Sequence, residues 1–355
     1  MKSTFARGET LNNRIRRLGT DESTPGLMLL TTPEAPVTDE MLSALSVPIF
    51  GGTFPAVIAD GEKREQGGVV VQLETEPTIT VVPELSDRPS EFDASLTNDK
   101  RPESGTAFVF ADAYATEIDQ FTRQLFRTYG TQYNYIGGGA GDLDNEHPSV
   151  YTNDGLIEDA AVIASIDRSS AVGVRHGWEK IAGPFQVTDA DGPTIEALEH
   201  RPAFNVYQEV IDNHEGYTPT QNEFFDIAKQ YPFAISRMDG EAIVRDPFTV
   251  DDSGAMTCFG DVPEGEFVHI LTGDVDSLIA AASEAYTEAV SDDAGEILFF
   301  DCLSRVQYLE DEFNREMEAV GPKAGALTIG EIANDGRGHL DYYNKTAVVL
   351  SLVEE

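Results

Sequence analysis

The stretch "AVGVRHGWEKIAG" (171–183) sets Arg175, His176 and the chain's one tryptophan, Trp178, among Gly173, Gly177 and Gly183. An arginine fork matches a carboxylate, an indole offers a flat apolar wall, and an imidazole donates or accepts a hydrogen bond. Together they could hold an amino acid or other small organic acid. Strand alternation places Val172, Val174 and His176 on one face, with Gly173 and Arg175 on the other. The competing expectation is structural: Arg175 pairs with one of the chain's many acids, and Trp178 packs into a core.

A second candidate lies in "LFFDCLSRVQYLEDEF" (298–313), which reads as a strand running into a helix, with Asp301 as the cap and Cys302 in the first turn. A thiol there feels the helix dipole, and Arg305 one turn on would favour a thiolate. Cys302 is therefore the nucleophile candidate, with Arg305 as its helper. A small residue packed at a strand–helix junction is the alternative, and no histidine stands nearby in sequence as a base, so no enzyme is expected. In "GGGAGD" (137–142), Gly137, Gly138 and Gly139 let the backbone approach something closely, as a tight turn or a ligand-cradling loop. Asp142 stands where a dinucleotide fingerprint needs glycine. Glu331 at the end of "LTIGEI" and Asn344 in "YYNKTAVV" either line a cleft or satisfy turn backbone. The six histidines show no metal-ligand spacing.

The elements that must position these residues read as α+β. Strands are expected at "GLMLLTT", "GGVVVQLE", "TITVV", "GTAFVFAD", "LIEDAAVIASID" and "GPFQVTDADG". Helices are expected at "TDEMLSAL", opened by Thr38, and at "ATEIDQFTRQLFRTYG", where Ile118, Phe121, Leu125 and Tyr129 recur at helical spacing up to Gly130. In the second half, "DVDSLIAAASEAYTEAV" and "LSRVQYLEDEFNREMEAV" read as helices among further strands. Strands without helices between them favour mixed, largely antiparallel sheets flanked by helices over a parallel barrel. A polar junction near 199–210 suggests two domains, 26–200 and 201–355, after an extension at 1–25; segment 83–104 reads as a surface loop. No short sequence repeat is evident.

The 355 residues include 63 acidic and 24 basic ones, a formal net charge of −39, with 7 lysines. Such a surface repels phosphate backbones and argues against nucleic-acid binding. The acids are dispersed, which fits the solvated surface of a salt-loving microbe's protein better than an acidic tail. No apolar stretch reaches the roughly 18 residues of a membrane span, and the first 20 residues lack a secretory apolar segment, so a cytoplasmic location is expected. Cys258 and Cys302 fit neither a disulfide framework nor a zinc site.

Taken in order, "GGTFPAVI", "IGGGAGD", "VGVRHGWEKIAGPFQVTDADG", "RPAFNVYQEV", "YPFAISRMDGEAIVRDP", "GEFVHIL", "LFFDCLSR", "IGEI" and "YYNKTAVV" resemble the FIST family (F-box and intracellular signal transduction proteins) over residues 26–352. The resemblance implies an N-terminal FIST domain to about residue 200, a C-terminal FIST domain after it, and a cytoplasmic sensory module. That module would bind a small ligand, amino acids being the usual suggestion, and signal to a partner such as a histidine kinase. Candidate ligand residues are then Gly137, Gly138, Gly139, Arg175, His176, Trp178, Arg245, Cys302, Arg305, Glu331 and Asn344. Some family members are described as haem proteins sensing nitric oxide, which makes His176 the axial-ligand candidate of that alternative. A cysteine-dependent enzyme is the further one. No kinase or DNA-binding segment accompanies the domains, so the output is expected to pass to another protein.

Overall fold

A computed structural model describes residues 1–353 apart from 88, 99, 146, 222–223, 238–239, 291–293 and 335–337. The fold is the expected α+β, and it is built on a threefold repeat of topology. The first unit runs β1 (Lys2–Ala6), α1 (Gly8–Gly19), β2 (Leu27–Thr31), α2 (Asp39–Ser43), β3 (Ile49–Thr53), the hairpin β4 (Ala56–Ala59) and β5 (Glu62–Arg64), then β6 (Gly68–Gln72). The second repeats it as β7 (Thr78–Pro83), α3 (Phe92–Leu96), β8 (Gly105–Asp112), α4 (Ile118–Tyr129), β9 (Tyr133–Ala140), the hairpin β10 (Val150–Thr152) and β11 (Gly155–Ile157), and β12 (Ala160–Ile166).

The third unit starts with β13 (Ser170–Arg175) and is interrupted by an insert: β14 (Glu179–Asp191), β15 (Thr194–Leu198), β16 (Arg201–Pro202), α5 (Ala203–Glu215), α6 (Phe224–Ala228), β17 (Phe233–Ile235), β18 (Ile243–Arg245), β19 (Pro247–Val250), β20 (Met256–Cys258) and β21 (Phe267–Thr272). It resumes with α7 (Val275–Ala289), β22 (Ala294–Cys302), α8 (Leu303–Leu309), α9 (Phe313–Val320), β23 (Ala324–Thr328), the hairpin β24 (Glu331–Ala333) and β25 (Asp341–Tyr343), and β26 (Ala347–Val353).

Each unit builds four strands of a six-stranded sheet, and the next hairpin along a closed ring completes it. The orders are β1-β6-β2-β3-β10-β11, β7-β12-β8-β9-β24-β25 and β13-β26-β22-β23-β4-β5. Thus the second unit's hairpin finishes the first sheet, the third's finishes the second, and the first's finishes the third. Each exchange covers a strand edge that would otherwise be left unpaired. In every sheet the two central strands of a unit are parallel and the return strand is antiparallel. The insert forms its own antiparallel sheet, ordered β18-β17-β21-β14-β15-β20-β19. Leu30, Phe110 and Phe300, one from each unit, share a single buried cluster, and the Phe110 and Phe300 rings lie 5.8 Å apart. Hydrogen bonding therefore crosses residue 200 repeatedly, and residues 2–19 belong to the first unit as β1 and α1.

One glycine recurs at the same register in all three parallel pairs: Gly51 opposite Leu29, Gly137 opposite Val109, and Gly325 opposite Phe299. A Cβ at these positions would lie 1.9, 1.8 and 1.8 Å from the opposing carbonyl oxygen. No side chain fits there.

Local expectations hold where the periodicity was clear. Thr38 caps α2 by accepting from the Met41 amide at 3.2 Å, and α4 buries Ile118, Phe121, Leu125 and Tyr129 before Gly130. Four readings need correction. The segment 83–104, expected as a surface loop, contains α3, which buries Phe92 and Leu96. Gly137–Gly139 are neither turn nor cradle but part of β9; Cβ atoms on Gly138 and Gly139 would meet the carbonyl oxygens of Gly330 and Ile329 at 2.5 and 2.2 Å, so what approaches them is backbone. The helix expected over 303–320 breaks into α8 and α9 at Glu310, whose φ is 49°. Asp301 ends within β22, and Cys302, not Asp301, is the residue preceding α8.

Candidate functional site

The ends of β22 and β23, the start of α8 and the turn before β26 come together against the insert, and there they enclose a cavity of about 470 Å³. Its walls are apolar: Leu303 and Ile329 from the third unit, Pro247, Phe248 and Phe259 from the insert. The Phe248 and Phe259 rings pack at 4.4 Å. Its mouth is rimmed by Tyr114, Leu143 and Phe225, which are 39%, 62% and 53% exposed and are three of the few large apolar side chains left in solvent. Its floor is polar, made by Asp246, Cys302, Ser304, Thr328 and Asn344.

A network of buried groups fixes that floor. Lys345, fully buried in a left-handed turn conformation with φ 52°, points its ammonium at Asp246 Oδ2, 3.2 Å away. The same ammonium lies 5.2 Å from the Trp178 ring, and the indole N–H donates to the Lys345 carbonyl at 3.3 Å. Trp178 thus packs behind the floor, against Tyr308. Asn344 accepts from the Asp246 amide at 3.3 Å and donates to the Tyr343 carbonyl at 3.0 Å. Glu331 accepts from the Thr328 hydroxyl at 2.8 Å and the Thr346 amide at 3.3 Å. Burial pushes the Glu331 carboxyl well above its ordinary range. Burial also lifts Asp246, against the pull of Lys345.

Cys302 faces this floor with its sulfur 3.3 Å from Ser304 Oγ. Burial, followed by the charge of Glu331, pushes its thiol up to about 12. Arg305 gives no help. Its guanidinium is turned into the core, donating to Glu316 Oε1 at 3.0 and 2.6 Å and to the His176 carbonyl at 2.6 Å. The expected thiolate-stabilising pair therefore does not form.

The residues that opened the sequence argument lie behind or away from the cavity. Arg175 sits among Glu288, Glu241 and Glu284 beside α7, the last two at 3.7 and 3.8 Å, and does not line this cavity. His176 Nδ1 accepts from the Trp178 amide at 2.9 Å, so its proton is on Nε2, 3.4 Å from Glu241 Oε1. Burial, with Arg305 and Arg175 close by, holds that imidazole down to about 3. Both ring nitrogens are engaged, and no histidine lines the cavity; these residues do not fit a haem axial site. Arg245 donates to Asp119 Oδ1 at 2.6 Å, the Tyr342 carbonyl at 2.7 Å and the Asp261 carbonyl at 2.9 Å, which ties the insert to α4 and β25. Gly138 lies behind the site, as the strand partner of Glu331 and packed against Thr328 and Gly330.

Of the candidates, then, Cys302 and Asn344 line the cavity, Glu331 and Trp178 support it, and the arginines serve the frame. The sequence reading missed Asp246, Ser304, Thr328, Lys345 and the aromatic walls. "RDPF" carried a signal, since Asp before Pro marks a turn, and so did the Asn of "NKT", a turn residue whose side chain donates to the adjacent Tyr343 carbonyl. Among the described residues, no group of three or more His, Cys, Asp or Glu could hold a metal, and no helix is long and apolar enough to cross a membrane.

Comparison with known proteins gives two matches. Residues 27–201 match the FIST N domain and residues 203–334 match the FIST C domain. No curated protein matches the chain.

Proposed function

On the premise that the chain belongs to the FIST family, whose domains are signal-transduction sensor domains, we propose that it senses a small molecule held in the cavity between the third unit and the insert. The observation that carries this reading is the cavity's make-up. About 470 Å³ of apolar-walled space with a few fixed polar groups at one end falls within the roughly 300–1,000 Å³ usual for ligand pockets. Tyr114, Leu143 and Phe225 stand exposed at its mouth, where a ligand would cover them.

A ligand there would touch Cys302, Ser304 and Thr328 from the third unit and Pro247, Phe248 and Phe259 from the insert at once. Binding would change how firmly the two are held together, and a partner signalling protein, such as a histidine kinase, would read the change. The proposal takes Cys302 as a packing and wall residue and the protein as a non-enzyme; a thiol pushed to about 12 and an Arg305 committed to Glu316 support that choice.

A thermal-shift screen in concentrated salt, covering amino acids, amines, amides, organic acids and nucleotides, tests it. A ligand at about a hundred times its dissociation constant stabilises by about 2.7 kcal/mol, a readily measured rise in melting temperature. A blank across all classes would remove the reading.

A further inference from the structure

The cavity's polar end discriminates between kinds of ligand. A carboxylate is best held by a cation or by several converging donors, and the Asn344 and Thr328 donors on the floor are turned inward. The Asn344 amide donates to Tyr343 and the Thr328 hydroxyl to Glu331, while the Lys345 ammonium lies outside the lining, paired with Asp246 Oδ2 at 3.2 Å and set over the Trp178 ring. The arginines that would suit a carboxylate are committed elsewhere: Arg175 to three glutamates, Arg245 to Asp119, Arg305 to Glu316. Among the described lining residues the cation is Lys229, which lies at the rim with Asp226 at 3.2 Å. Gln307, on the exposed side of α8, adds a neutral amide that can donate or accept, and the rest of the polar end offers acceptors: the Asp246 carboxylate, the Ser304 hydroxyl oxygen and the Cys302 sulfur, with the carboxyls of Glu331 and Asp301 buried behind them.

We infer that the ligand has an apolar, ring-sized body and an uncharged or cationic end that donates hydrogen bonds, and that it is not a carboxylate. The inference rests on the reading of this cavity as the sensor site. The ring-sized body follows from the aromatic pair Phe248 and Phe259 facing Ile329 and Leu303 across the space. The donating end follows from Asp246, which would accept from an amine or amide and would repel a carboxylate.

Three probes of similar shape separate the possibilities: 2-phenylethylamine, phenylacetamide and phenylacetate, titrated into the full chain in concentrated KCl by calorimetry. The amine and the amide should bind roughly tenfold or more tightly than the acid, since a carboxylate brought against Asp246 is repelled. Leu303→Trp, which fills the cavity from α8, should abolish the heats. Should that variant fail to fold, Phe225→Ala, on an exposed ring at the mouth, should weaken the amine and amide together. Phenylacetate binding as tightly as the amine overturns the inference and leaves the sensor reading standing. If none of the three binds but another compound of the screen does, its charge decides: an anion overturns the inference, an amine or amide supports it. If the whole screen is blank, the sensor site and the inference fail together.

Discussion

The third unit and the first two share one frame and fill it differently. Aligned on the recurring glycine register, Asp301 corresponds to Thr31 and Ala111, Cys302 to Thr32 and Asp112, and Glu331 to Val57 and Val150. Where the first two units place valine on the hairpin strand, the third buries a carboxyl with no solvent exposure. Desolvating an acid costs several kcal/mol unless hydrogen bonds and charges compensate. The third unit gives Glu331 hydrogen bonds from Thr328 and Thr346 and gives the neighbouring Asp301 the Arg305 guanidinium at 3.5 Å, and it is also the unit split by the insert. The comparison teaches that the repeat is the scaffold, while polar substitutions in one copy mark the place where the insert lies over it and a cavity forms.

The largest effect should come from attacking what the units share. Gly51→Ala, Gly137→Ala and Gly325→Ala each place a methyl within 2 Å of a carbonyl oxygen, and each should cost more than about 4 kcal/mol or prevent folding in denaturant titrations. Mild effects at one of the three would break the equivalence of the units.

Next comes the contrast between two arginines. Arg305→Met leaves Glu316 and Asp301 buried without their cation and should destabilise by about 3–5 kcal/mol. Arg175→Met, whose closest partner Glu288 is 40% exposed, should cost about 1 kcal/mol or less. Equal losses would mean that burial does not separate the two sites.

The smallest effect concerns pH. Glu331 is raised in the folded protein above its unfolded range, so the folded state binds its proton more tightly. Its contribution to stability is therefore fully present at pH below the ordinary glutamate pKa of about 4.3 and is lost as pH rises through the folded value. Glu331→Gln should flatten that decline above about pH 4.3 while leaving the acid side little changed. An unchanged pH profile would show Glu331 to be charged and fully compensated in the fold.

How far these features were legible in the sequence depends on range. Helices with caps and clear spacing, such as α2 and α4, follow from local rules, as does the α+β class. The threefold repeat was hidden because its units share a glycine and a topology and little else: "IFGGT", "YIGGGA" and "AGALT" do not look like copies. Only strand register aligns them. At the site, Cys302 and Asn344 were found because their residue types suggest chemistry. Arg175, His176 and Trp178 drew attention for the same reason, yet β13 lies at the edge strand beside α7, where acids on the helix take the arginine. Asp246 and Lys345 were missed because an ion pair between residues 99 positions apart is a tertiary fact. The FIST resemblance supplied the family without saying which signature residues face a ligand.

The central claim is that a ligand sits between the third unit and the insert, and one paired measurement tests it most directly. The best-stabilising compound of the screen is titrated calorimetrically into the native chain and into Leu303→Trp, with the melting temperature of each recorded in its absence. The account predicts saturable one-to-one binding to the native chain and none to the variant, with similar melting temperatures. Undiminished binding to a folded Leu303→Trp would place the ligand elsewhere and contradict it.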